Sequence, residues 1–224
     1  MMVATALKNA SRELCDAVES LRFSAPVTHV YNPLVYAREL HEQYLERYAN
    51  STKRIVFMGM NPGPWGMAQT GIPFGEVAAV RDFMGLAGTV DQPAASHPKR
   101  PVMGMDCPRS EVSGRRLWGA FAARYGRAED FFDECLVLNY CPLSFMEESG
   151  KNRTPDKLPK AEREPLEAAC DEHLLTCIRV LEPDWVVGVG RWAREKAERV
   201  LAQGPARIGQ VLHPSPASPA ANRG

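Results

Sequence analysis

Two side-chain amides and one imidazole, far apart in the chain, are the residues best suited to chemistry. Asn61 follows the apolar run Arg54-Ile-Val-Phe-Met58, Asn139 closes Cys135-Leu-Val-Leu138, and His213 follows Arg207-Ile-Gly-Gln-Val-Leu212. They come with no carboxylate pair, no Ser–His–Asp order and no P-loop lysine. An Asn amide offers a donor beside an acceptor and can pair bidentately with a base edge. Phe74 could stack on the face of such a ring, and His213 could donate to a developing oxyanion. The set suits a flat, neutral, hydrogen-bonding ligand, and a nucleobase fits that description. Taken singly, Asn61-Pro62 is a common turn dipeptide and His213-Pro214 a capping element; the three positions together point to a site.

The segment that carries Asn61 is unusual throughout. Gly59 to Gly75 reads GMNPGPWGMAQTGIPFG, dense in Gly and Pro and with no Lys, Arg, Asp or Glu. Such a composition would break a helix or a strand, so it predicts a shaped loop. Loops that leave the ends of sheet strands are where α/β proteins hold their ligands.

These residues need elements to position them. Residues 54–60 and 135–139 read as buried strands, and 184–189 and 207–212 as a third and a fourth strand. Between them lie helical patterns: Leu7, Leu14, Val18 and Leu21, with Ser11 a candidate cap; a helix opened by Asn32-Pro33 with Tyr36, Leu40, Tyr44 and Tyr48 on one face; a short helix near 76–86 with Val77, Val80 and Met84 inward. Ser113 is expected to cap a helix carrying Leu117, Phe121 and Tyr125, Pro165 to start one reaching Leu181, and a last helix to span Arg191 to Gln203. Residues 87–112 and 144–164 read as long connections, the first functional or mobile. Strands alternating with helices predict an α/β fold, a four-stranded parallel sheet with right-handed crossovers, in a single domain over residues 1–224. Parallel strands share one C-terminal edge, so Asn61, Asn139 and His213 should gather on one rim.

The totals restrict the function classes. The 224 residues balance 27 Lys/Arg against 27 Asp/Glu, so bulk charge demands no polyanionic partner. Locally, residues 97–127 hold seven basic residues against Asp106 and Glu111, a stripe able to touch phosphates or simply to face solvent. Six scattered cysteines form no CxxC pair, which disfavours zinc ribbons and four-Cys iron–sulfur clusters and suggests free thiols in a reducing compartment. No signal peptide or membrane span is recognisable. Gly188-Val-Gly190 lacks the third glycine of a dinucleotide fingerprint. Cys170, His173 and Cys177 share a helix face and read as core packing more readily than as a metal site. Neither cofactor nor metal is expected.

The block 59–75 closely resembles the first motif of the single-strand-selective monofunctional uracil-DNA glycosylases, within the uracil-DNA glycosylase superfamily. His213-Pro-Ser-Pro-Ala-Ser-Pro219 resembles that family's second motif. Leu21 to Pro33, Ser110-Glu-Val-Ser-Gly114 with Leu117-Trp-Gly119, and Asn139-Tyr-Cys-Pro-Leu143 match as well, so the likeness runs from about residue 20 to the end. It implies a three-layer sandwich of the uracil-DNA glycosylase type and cleavage of an N-glycosidic bond after the base is swung out of the stack. By that resemblance Asn61 holds the attacking water and His213 stabilises charge on uracil O2. Asn139 reads the polar edge of the base, Phe74 stacks on it, and Met60, Gly63 and Met67 line the pocket. Ser113, Gly114, Arg115 and Arg116, with Pro214, Ser215, Pro216 and Ala217, would meet DNA, single- or double-stranded. With no lysine in the first motif, no Schiff base and no strand cleavage are expected.

The chain also departs from the family pattern. Gly63 stands where another branch of the superfamily has a bulky Tyr, leaving room beside C5 of the base for oxidised substituents such as hydroxymethyl. Ala217 stands where an Arg often helps to wedge the duplex, a task Arg115, Arg116 or Arg223 could take over. Trp65 replaces a Phe, and a further helix would be expected beyond His213, where eleven residues remain. Two rival readings stay open: a glycosylase for deaminated purines such as xanthine or hypoxanthine, and a damaged-DNA binding module without turnover. A monomer is expected, in the nucleus of a eukaryote or the cytoplasm and nucleoid of a prokaryote.

Overall fold

The computed structural model describes residues 2–216. In chain order its main elements are α1 (Val3–Glu19), β1 (Val27–Tyr31), α2 (Pro33–Tyr36), α3 (Arg38–Tyr48), β2 (Ile55–Gly59) and α4 (Met67–Thr70). After a π turn at Ala79–Phe83 come α5 (Val112–Tyr125), α6 (Ala128–Glu134), β3 (Cys135–Asn139), β4 (Ser144–Glu147) and β5 (Asn152–Arg153). The chain continues with α7 (Lys160–Leu181), β6 (Trp185–Val189), α8 (Arg191–Val200) and β7 (Arg207–Val211).

Four strands form a parallel sheet in the order β3-β2-β6-β7. The chain runs outward from β2 to β3, then crosses back to β6 and β7. Right-handed crossovers in opposite directions put their helices on opposite faces, which makes the three-layer α/β/α arrangement. The reversal also leaves a crevice beyond the carboxyl ends of β2 and β6, the position where open α/β sheets take ligands. Three of the strands are legible as apolar runs because parallel strands are covered on both faces; Val56, Met58, Leu136, Val137 and Val186 are fully buried, whereas the edge strand β7 is exposed or half-buried along its length.

Local rules hold at several element ends. Asn32 Oδ1 accepts the Leu34 N–H, and Pro33 sits at the first helical position, as expected of an N-cap followed by proline. The helix then breaks at Ala37 before continuing as α3, with Tyr36, Leu40, Tyr44 and Tyr48 all inward. Val77, Val80 and Met84 are likewise buried.

Other expectations fail for tertiary reasons. Ser11 caps nothing: it lies in the middle of α1, where its hydroxyl meets His41 Nε2 at 3.1 Å. Ser113 is the second residue of α5, whose N-cap is Glu111. Pro165 lies inside α7, which starts five residues earlier at Lys160. That first turn is tied down from outside: Ser24 donates its N–H (3.0 Å) and its hydroxyl to Glu162, and Arg163 reaches Asp156 O at 3.3 Å. These bonds offset the helix hydrogen bond that proline cannot make.

The connection 144–164 supplies two strands of a second sheet that the sequence conceals, β1-β4-β5, antiparallel and three-stranded. Its hairpin turns at Gly150, whose φ of +81° suits glycine. Residues 87–112 are irregular, as expected, but pinned. Gln69, fully buried, donates to Pro64 O (2.9 Å) and Pro101 O (3.0 Å) and accepts from Met103 N (2.8 Å). Tyr31 adds two more anchors, to Arg100 O and from His97 N, both 2.7 Å.

Candidate active site

The site begins where β2 and β3 end side by side. Gly59 pairs in register with Asn139, and a Cβ on Gly59 would fall on Asn139 Oδ1 and on the ring of Phe74. Only glycine lets the amide and the ring close to this distance. Phe74 takes φ +54°, a conformation a bulky side chain rarely adopts. It is held there from both sides: Glu76 N donates to Phe74 O (2.7 Å), Thr70 Oγ1 donates to Gly75 O (2.8 Å), and Gly114 of α5 leaves just enough space for Phe74 O.

Asn139 Nδ2 contacts Met67 Sδ at 3.1 Å, while its Oδ1 is buried with no partner among the described residues. Met67 therefore backs the amide rather than facing the cavity. Asn61 Nδ2 donates to Leu143 O (3.2 Å), which turns its Oδ1 the other way. His213 Nδ1 accepts the Ser215 N–H at 3.1 Å, which puts the ring proton of the neutral imidazole on Nε2. Burial lowers the pKa of His213, favouring that neutral form. Gly190, with φ +95°, packs where a Cβ would stand 3.1 Å from His213 Cβ.

These groups share one cavity of about 450 Å³, and Asn61, Phe74, Asn139 and His213 all line it. It opens at the carboxyl ends of β2 and β6, the crevice the strand order creates. Met60, Gly63, Ser113 and Ser215 line it too. A larger depression of about 980 Å³ lies at the opposite ends of β6 and β7, beside Glu182, Trp185 and Arg207, away from these groups.

Sequence reasoning missed nine lining residues, five of them polar or aromatic: Glu111, Asn152, Thr154, Arg191 and Trp192. Glu111 was visible within Ser110-Glu-Val-Ser-Gly114 but carried no role. Asn152 and Thr154 arrive on and beside β5, which has no pattern of its own. Glu111 is the most perturbed of the five. Burial, then the nearby Glu76 carboxylate, push its pKa up to about 7 against the pull of the Gly66 and Trp65 N–H groups.

The candidate DNA-contact residues divide. Arg115 is exposed and bonds Ser110 Oγ at 3.4 Å. Arg116 donates to Pro214 O (3.1 Å) and so ties α5 to the segment bearing His213. Gly114 lies under Phe74, while Ala217 and Arg223 lie outside the described residues. Beside the cavity, Arg109 and Arg100 lie over the Trp65 ring, 4.2 and 5.4 Å from its centroid. Cys177 Sγ meets His173 Nε2 at 3.4 Å, and His173 Nδ1 donates to Ala10 O at 3.2 Å. The pair is satisfied within the core, and no group of three possible metal ligands occurs among the described residues.

Comparison with known proteins gives concordant matches. The family model of the uracil DNA glycosylase superfamily matches residues 46–223. A single-strand selective monofunctional uracil DNA glycosylase of Bos taurus is 50% identical over 213 residues, covering 94% of this chain and 78% of that protein. Its namesake from Rattus norvegicus is 49% identical over 209 residues, covering 92% and 75%. Among solved structures, wild-type SMUG2 of Pedobacter heparinus superposes with a TM-score of 0.64 at 19% identity, covering 92% of this chain and 87% of that one. That last likeness bears on the fold alone.

Proposed function

The chain belongs to the uracil DNA glycosylase superfamily, and from that premise we propose that it hydrolyses the N-glycosidic bond of uracil in DNA. We extend the proposal to 5-substituted uracils such as 5-hydroxymethyluracil, with the base extruded into the cavity and the strand left uncut. The observation that carries this reading is the convergence of Asn61, Asn139, His213 and Phe74 on one cavity at the sheet's crevice.

The geometry supports a role for each. Asn139 Oδ1, buried and unpartnered, is an acceptor awaiting the uracil N3–H, and Nδ2 can turn a second hydrogen toward O4. Phe74 is a rigid face for stacking. As the C1′–N1 bond breaks, the electron pair leaves with the base and its charge spreads onto O2, within the range of a donor such as His213 Nε2–H. That donor is worth more in a dry cavity than in water. Asn61 Oδ1 is turned away from Leu143 and can orient the water that adds to C1′. Because the base departs as a delocalised anion, a neutral amide suffices early in the reaction. The place a Gly63 side chain would take is held by the Glu111 carboxyl, so the space proposed beside C5 is bounded by that polar group, and a polar substituent that replaces a water there is favoured over a plain methyl. The relatives named single-strand selective support a single-stranded substrate. Arg109 and Arg100 over Trp65, with exposed Arg115, offer cationic and aromatic contact for the flanking strand.

The test is release of free base from oligonucleotides carrying uracil, 5-hydroxymethyluracil, xanthine or thymine, in single and double strands. Asn61→Ala and His213→Ala should each lower kcat by about 100- to 1000-fold. Equal rates in all three proteins would remove these assignments. Binding without release by the wild type would favour a damage-recognition module, and preference for xanthine a purine glycosylase.

A further inference from the structure

One carboxyl at the cavity has no part in the reaction described above. Glu111, the N-cap residue of α5, packs against the turn Pro62–Gly66 that follows Asn61. A Cβ on either Gly63 or Gly66 would collide with its carboxyl. Oε2 is buried and has no hydrogen-bond partner among the described residues. An unpaired buried carboxylate oxygen is costly, and the turn is built with two glycines to admit it.

We propose that Glu111 is a positioning residue for hydrolysis: its carboxyl clamps the Pro62–Gly66 turn and thereby fixes Asn61 against the attacking water. The inference rests on the glycosylase reading. Two observations support it besides the packing. The ionised carboxyl can accept the N–H groups of Trp65 and Gly66, whereas the protonated form gives up part of that acceptor capacity. And Glu111 titrates where activity would be measured, since burial and Glu76 raise it to about 7.

The groups facing it are few. Glu76 comes from the segment after Phe74, and the turn itself brings only uncharged residues. On its own segment Arg109 lies over Trp65 and Arg115 bonds Ser110. Across the cavity stand His213 and Arg191, the latter paired with Glu195 at 2.6 Å. No ion pair to Glu111 occurs among the described residues.

The sign follows. A carboxyl with a raised folded pKa is destabilising once ionised, so folded-state stability falls as pH rises from about 4.5 through 7. Groups held charged at a stability cost cluster at functional sites.

Glu111→Gln keeps the shape and removes the charge. At pH 8 it should melt higher than the wild type yet turn over uracil about 10- to 100-fold more slowly, with KM little changed. The wild-type rise of kcat through pH 7 should vanish. Glu76→Gln should keep the plateau rate and shift that rise to lower pH. Without substrate, amide exchange at residues 63–68 should be faster in Glu111→Gln. Wild-type kcat and pH profile in Glu111→Gln, or an unmoved rise in Glu76→Gln, would overturn the proposal, as would unchanged exchange. A wild type that releases no base would instead overturn the glycosylase reading, and the exchange measurement would still decide whether Glu111 clamps the turn.

Discussion

At the scale of single residues, the site depends on what glycines leave out. Gly59 has no side chain, so Asn139 and Phe74 can approach one another across the ends of β2 and β3. Gly59→Ala must push the ring or the amide aside. We expect kcat/KM on uracil-containing single strands to fall by about 100-fold, the size of effect a 1 Å misplacement produces, with a fold still cooperative in thermal melts. An unchanged kcat/KM would mean the amide and the ring need not touch. The polar members of the site were legible, because Asn61, Asn139 and His213 each end an apolar run. Glu111 was not. A lone glutamate at a helix start reads as a solvated residue, and only the folded contacts with Gly63 and Gly66 reveal that its carboxyl is tucked out of solvent.

At the scale of elements, β2, β3 and β6 were legible because both faces of the sheet are covered there, which writes an apolar signature that the exposed edge strand β7 carries only weakly. The small sheet was not, since strands of two to five residues among Pro, Gly and charged residues carry too little pattern. The start of α7 was misplaced because Ser24 and Asp156 hold its first turn, and no local rule encodes partners so far away. The segment 87–112 shows the same principle from the other side. Its order comes from Gln69, a residue of the first-motif helix α4, which bridges Pro64, Pro101 and Met103. Gln69→Ala would take from three partly buried backbone groups the side chain that bridges them. The expected cost is about 3 kcal/mol, read as a lower denaturant midpoint, with protease cuts concentrated between residues 97 and 109. Cleavage spread evenly over the chain would argue that another contact orders the loop.

At the scale of the molecule, buried histidines set how the fold answers acid. Burial lowers His173 to about 4, below the ordinary 6.5, so the unfolded chain takes up a proton that the folded one refuses. Stability contributed by the neutral ring is intact above pH 6.5 and is lost as pH falls toward 4, by roughly 2 to 3 kcal/mol. In the wild type that loss is offset by Glu111, whose protonation stabilises the fold by a similar amount over the same interval, so denaturant titrations at pH 7 and pH 4.5 should show it in Glu111→Gln. In that variant, an unfolding free energy that rose steadily toward acid would contradict the packing of His173 against Cys177 and Ala10. The left-handed backbone at Phe74 has its own consequence. A recess cast in final shape before any strand arrives cannot tell a tethered ring from a free one. Liberated uracil should therefore linger, compete with the next lesion as a product inhibitor, and raise the melting temperature at millimolar concentration. A melting temperature indifferent to the free base would mean that the recess takes shape only when DNA threads across it.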